Sequence, residues 1–149
     1  SNTGNVGQQT WSALFSDSAK SMVSDYEYSQ ILANYEAMKV QRAEATEQMN
    51  QLTVKASSTV SKGAMNLTWS SSSSVLDIDS VQIDGYELWK SNSKTGGYQL
   101  LKSTTGKKFK NTSNIKKGTR YYYKVRAYRE IGGQKIYSPW SNVTYKIAK

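Results

Sequence analysis

The side chains with the most chemical potential lie in two stretches of this 149-residue chain. One is "LDIDSVQID", where Asp77, Asp79 and Asp84 place three carboxylates within eight residues. Alternating acids can hold a hard cation through oxygen ligands. A calcium-loop glycine spacing is missing, so a solvated loop that resists edge pairing is the expected role. Asp84 and Glu87 could be cast as glycosidase acid and base. That chemistry needs a cleft and a fixed carboxylate separation, which a strand-and-loop pair does not supply. The second stretch is "RYYYKVRAYREIGGQKIYSPWSN", residues 120–142, where aromatic and cationic residues interleave. Exposed rings stack on sugar faces, and a basic surface draws in anionic polymers. Trp89, Tyr122, Lys124, Arg126 and Trp140 are the candidate ligand surface. The competing role is cross-strand packing, with Trp140 covering Lys124 or Arg126 as a cation–π contact.

Composition narrows the chemistry further. The chain has no cysteine and no histidine, which excludes disulfides, thiolate metal sites and nucleophiles activated by histidine. No catalytic residue, cofactor or metal is therefore assigned. No run approaches the roughly 18 apolar residues of a membrane span. No secretory signal pattern opens the chain, as expected of a cytosolic protein or a mature fragment. The net charge of +9 is unevenly spread. Residues 1–51 carry six acids and three bases, and residues 52–149 carry five acids and 17 bases. That shift marks two units, a helical segment over 1–51 and a basic domain over 52–149. The basic balance suits solubility first and attraction to anionic polymers second.

Two kinds of element must position these residues. Residues 10–51 lack Gly and Pro and are rich in Ala, Glu, Gln and Met, all good helix formers. Thr10 can cap a first helix whose face is Trp11, Leu14, Phe15, Ala19 and Met22. Ser24 and Glu27 fit a capping box, so a break falls near 23–24 or one helix runs through. Tyr28, Ile31, Tyr35, Met38, Arg42, Ala45, Met49 and Leu52 then recur at 3-4 spacing, the seam of a coiled coil or helical hairpin. Run from 24 to 51, this helix is about 42 Å long. An isolated helix of this kind is marginal, so its stripe wants a partner: the first helix, a second copy or a neighbouring domain.

From Leu52 onward the period changes to two. Met65, Leu67 and Trp69 alternate with Ala64, Asn66 and Thr68, and Tyr86 and Leu88 with Glu87 and Trp89. In "YYYKVRA", Tyr121, Tyr123, Val125 and Ala127 point inward, and Tyr122, Lys124, Arg126 and Tyr128 outward. Gly132-Gly133 supplies the positive φ angles of a tight hairpin. Short strands between such turns predict an antiparallel β-sandwich of about seven strands. Lys107, Lys108 and Lys110 read as a solvated edge.

Residues 52–149 resemble a fibronectin type III domain of the bacterial surface-protein kind. The likeness rests on Trp69 in "LTW", on Gly85, Tyr86 and Leu88 in "DGYEL", on "NIKKGTRYYYKVRAY" and on "YSPWSN". Ile115 matches the family's leucine, Gly118 and Thr119 its turn, and Tyr121 its corner tyrosine; Lys117 replaces the usual proline. The resemblance implies that the Tyr121 hydroxyl bonds upstream backbone, a structural role. Trp69, Tyr86, Tyr121, Tyr123 and Val125 are thus the expected structural core. "SPWS" also resembles the Trp-Ser repeats of cytokine-receptor sandwiches, where arginines stack between tryptophans. An Arg-Gly-Asp adhesion loop is absent, since Ile131 is followed by Gly132-Gly133-Gln134. The resemblance implies a noncatalytic module, extracellular or on the cell surface. Its partner would be a protein or a cell-wall polymer, carbohydrate included. Nucleic acid is an unexpected partner; the favoured use of the N-terminal stripe is a packed helical hairpin without a binding role, with homo-oligomerisation through the helix as the alternative.

Overall fold

The computed structural model describes residues 25–149. The expected first helix and the Ser24 capping box lie outside the described residues. Helix α1 spans Asp25–Asn50. Asp25 and Glu27 sit in its first turn, where negative charge complements the helix dipole. Tyr28, Ile31, Tyr35, Met38 and Arg42 form its half-buried stripe, and Ala45 and Met49 are fully buried. The helix tightens as it ends, with the Gln51 and Leu52 amides donating three residues back to Gln48 and Met49.

Chain contacts divide the protein into compact units over 1–43 and 44–149. The second contains eight strands: β1 (Thr53–Ser61), β2 (Ala64–Ser72), β3 (Gly85–Ser91), β4 (Gln99–Thr104), β5 (Lys108–Asn111), β6 (Arg120–Ile131), β7 (Gln134–Tyr137) and β8 (Thr144–Ile147). One sheet has the order β1-β2-β5. The other runs β4-β3-β6-β7, and β8 also pairs with β6. All pairings are antiparallel.

The alternation expected of β6 holds along its length: Tyr121, Tyr123, Val125 and Ala127 are buried while the residues between them are partly exposed. They meet Leu67, Trp69, Tyr86 and Leu88, and Met49 and Leu52 join the same core. The last two residues of the helical stripe therefore pack into the sandwich. The Tyr121 hydroxyl accepts a 2.8 Å bond from the Lys116 amide, the expected tyrosine corner. Tyr123 is fully buried and donates to the Asn111 side-chain carbonyl at 2.9 Å, so its hydroxyl is satisfied. Gly132 and Gly133 both hold positive φ in the two-residue link from β6 to β7.

The strand count exceeds the expected seven because the final strand is split. β7 pairs with residues 128–131 of β6, and β8 with residues 120–123. Pro139 falls between them and has no amide hydrogen to give the ladder.

Candidate functional site

The split in the last strand creates the most elaborate surface of the domain. Opposite the gap, Val125 and Ala127 of β6 would lose their ladder partners. Two serines restore them. The Ser138 amide donates to the Ala127 carbonyl at 2.9 Å, and the Ala127 amide donates to the Ser138 hydroxyl at 2.9 Å. Ser141 repeats this with Val125, at 2.8 Å in each direction. The side-chain oxygens thus replace the carbonyls of a regular strand. Ser141→Ala should leave the buried Val125 amide unsatisfied and cost about 1–3 kcal/mol in urea denaturation. Ser138→Ala should cost a similar amount at Ala127.

Between the two serines the chain carries Trp140 onto the outer face of the β3–β6 sheet. The register sets Glu87 opposite Arg126 and Trp89 opposite Lys124. The Arg126 guanidinium lies 3.6 Å from the Tyr137 ring centroid, 4.4 Å from Trp140 and 5.5 Å from Trp89. Lys124 Nζ lies 4.0 Å from Trp140 and 4.4 Å from Tyr98. Trp89 and Trp140 meet edge to face at 5.7 Å. Cations and rings therefore alternate as Tyr137, Arg126, Trp140, Lys124, Tyr98. Each such contact contributes about 0.5–1 kcal/mol when exposed and more when desolvated.

Glu87 closes this stack from below. Its side chain accepts from Trp89 Nε1 at 3.1 Å, Arg126 Nε at 3.0 Å, Lys135 Nζ at 3.3 Å and the Tyr137 hydroxyl at 3.3 Å. The second Arg126 nitrogen lies 3.0 Å away, completing a fork onto one carboxylate oxygen. Although it faces outward, Glu87 is only 4% exposed, because these side chains lie over it. Burial pushes its carboxyl up, but the bonds from Trp89 and Arg126, the Arg126 charge and Lys135 together hold it below the usual carboxylate range. Lys124 is shifted down by desolvation and by its neighbour Arg126. Glu87 is thus an ionised carboxylate surrounded by donors, which leaves it no part as a general acid.

Four of the five candidate surface residues, Trp89, Lys124, Arg126 and Trp140, come together in this stack. Tyr122 lies further along β6, its ring 5.5 Å from Tyr145. Lys124 and Arg126 lie over the Tyr98, Trp140, Trp89 and Tyr137 rings, where a sugar would have to compete with them. Trp140 keeps 38% exposure. Trp69 and Tyr86, the remaining core expectations, pack with ring centroids 6.1 Å apart. The acidic loop is spoken for locally: Asp77 caps a short 3-10 turn, Ile78–Ser80, by accepting from the Asp79 amide. Asp84 accepts from the Glu130 amide at 2.7 Å and from Gln82 at 2.9 Å.

Sequence reasoning missed Glu87, Tyr137, Lys135 and Tyr98 as members of the stack. It also missed Asn142, whose amide pairs with Ala56 of β1 in both directions, at 2.9 and 3.0 Å, as a strand would.

Two antiparallel sheets packed through alternate residues and closed by a tyrosine corner define an immunoglobulin-like β-sandwich. Its fold is fibronectin type III-like. A fibronectin type III domain from the human KIAA0970 protein superposes with a TM-score of 0.56 at 23% identity, over 72% of this chain and 80% of that one. An Fn3-like protein from Clostridium thermocellum gives a TM-score of 0.46 at 22% identity, over 64% and 88%. Pectate lyase Pel3 from Pectobacterium carotovorum gives 0.49 at 14% identity over 63% of this chain, which spans about a quarter (26%) of that enzyme. Likeness at these identities speaks to the fold alone. No protein-family model and no curated protein matches the chain.

Proposed function

We propose that this chain is a noncatalytic interaction and spacer module of a larger bacterial extracellular, cell-envelope or phage-structural protein. Fibronectin type III domains generally serve as noncatalytic modules, and the sequence lacks the histidine and cysteine of common nucleophilic sites. The observation that carries this reading is the closure of the aromatic–cationic stack on Glu87. A surface built to hold a glycan presents free ring faces; here cations lie over the Tyr137 and Trp140 rings. The stack ties β3, β6, β7 and the split last strand together, which suits a rigid spacer. Helix α1 is the assembly or connecting element in this reading, since its stripe continues well beyond the buried Ala45 and Met49.

Affinity electrophoresis of the full chain through gels containing neutral, phosphate-free cell-wall and plant polysaccharides tests the proposal. Unretarded migration is expected. Retardation abolished by Trp89→Ala or Trp140→Ala would replace the spacer by a carbohydrate-binding accessory module of a cell-wall or polysaccharide-active enzyme. For the helix, sedimentation should give a higher oligomer for the full chain than for residues 44–149. Equal monomers would remove the assembly role.

A further inference from the structure

The opposite sheet, β1-β2-β5, has a different outer face. Its register brings Lys55 beside Ser70, Ser57 beside Thr68 and Lys108, and Thr59 beside Asn66 and Lys110. Apart from the half-buried Asn66 these side chains are exposed. The three strands contain no Asp or Glu, and the outward positions hold no aromatic ring. The result is a flat field of hydroxyls flanked by lysines.

These lysines differ from the cations of the other sheet. Arg126 and Lys135 are paired with Glu87, and Lys124 is packed between rings. Among the described residues, Lys55, Lys108 and Lys110 take part in no ion pair and no ring contact. The acids of the sandwich lie elsewhere: Asp77, Asp79 and Asp84 between β2 and β3, Glu87 on β3 and Glu130 on β6. A field with unopposed positive charge over a low-relief face attracts an extended polyanion.

We propose that the outer face of the β1-β2-β5 sheet docks a phosphodiester-linked polyol chain. Charge complementarity supplies the attraction. Lys108 and Lys110 stand about 7 Å apart along one strand edge, as alternate residues of a strand do. That repeat can follow successive charges of an extended polymer. Ser57, Thr59, Thr68 and Ser70 offer both donors and acceptors to polyol hydroxyls between the charges. Single-stranded nucleic acid fits less well, because its binding sites rely on aromatic rings for base stacking, and the outward strand positions hold none; Trp140 borders the face at the β1 edge, beside Lys55 and Ser57. The proposal rests on the noncatalytic-module reading and gives that module a partner.

The test titrates the full chain with a fluorescent poly(glycerol phosphate), and with an oligonucleotide and polyglutamate of equal charge, between about 50 and 200 mM salt. Three phosphate contacts predict a log–log salt slope near −2, from roughly 0.7 per contact on a single-stranded polyanion. The K55Q/K108Q/K110Q variant should lose most of that slope and bind the polyol phosphate at least about tenfold more weakly. K94Q/K116Q/K117Q removes the same charge away from this face and should bind like the parent chain. Thr68→Val with Ser57→Ala should erase the preference over polyglutamate. An equal loss in both lysine triples overturns the proposal, since net charge alone would explain it. Equal or tighter binding of the oligonucleotide overturns it too, as does salt-sensitive self-association through Lys108 and Lys110. Any of these would leave unretarded migration through polysaccharide gels, and so the spacer reading, untouched.

Discussion

Arg126→Ala should destabilise the sandwich by about 3 kcal/mol, near the lower end of what removing one partner from a buried ion pair costs. The side chain is 21% exposed, so solvent screens part of its charge, while the Glu87 side chain opposite is 5% exposed. Truncation leaves the Glu87 carboxylate short of its strongest donor and empties the space between Tyr137 and Trp140. Lys135 alone, 3.3 Å from the other oxygen, does not restore the fork. Arg126→Lys should recover only part of the loss, because an ammonium cannot aim two N–H donors at one carboxylate oxygen or lie flat on the rings.

The same carboxylate makes stability depend on pH. The folded state lowers the Glu87 pKa below its ordinary 4.5. Its contribution is therefore complete above the unfolded carboxylate value and is lost as pH falls through the folded one. Asp84 is shifted the same way, by its bonds from Gln82 and the Glu130 amide, and adds to the acid-side decline. Glu87→Gln should be less stable than the parent at neutral pH and show a shallower fall in acid. Urea midpoints measured from neutral pH to below pH 4 read both effects.

Trp69→Ala should cost about 4 kcal/mol, the usual toll of deleting a buried aromatic side chain. Trp69 is 4% exposed, stands across from Ala56 of β1 and packs on Tyr86. Alanine at both positions would leave a void between the sheets that neither backbone can close. Trp69→Phe should lose distinctly less, since a ring still meets Tyr86. Equal losses for the two variants would show that the site collapses around either substitution.

Much of the sandwich was legible because burial on one face writes a period of two into each strand. Tyr121, Tyr123, Val125 and Ala127 show it most clearly, and the Gly132-Gly133 turn fixes where β6 ends. The tyrosine corner was legible only through resemblance, as no local rule requires a bond from Tyr121 to the Lys116 amide. Glu87 was not legible. Alternation sends it outward beside Trp89, and outward normally means solvated. Its burial comes from side chains on two other strands, β6 and β7, whose assembly depends on cross-strand register. A carboxylate flanked by an outward Trp, facing an alternating Lys-x-Arg strand, is the pattern that could have flagged it. Asn142 was hidden for a similar reason: it meets Ala56 across 86 residues of sequence. The 3-4 spacing sets Met49 on the buried face of the helix but says nothing of the sandwich core that covers it.

The central claim is that the aromatic–cationic face of β3 and β6 is an internal clasp, held by Glu87 and Arg126 acting on each other. A double-mutant cycle with Glu87→Gln and Arg126→Gln, read by urea denaturation at neutral pH, measures that directly. A coupling energy of about 1–3 kcal/mol is expected for residues sharing one network. Additive losses, with coupling within about 0.5 kcal/mol of zero, would contradict it and leave those side chains free for another partner.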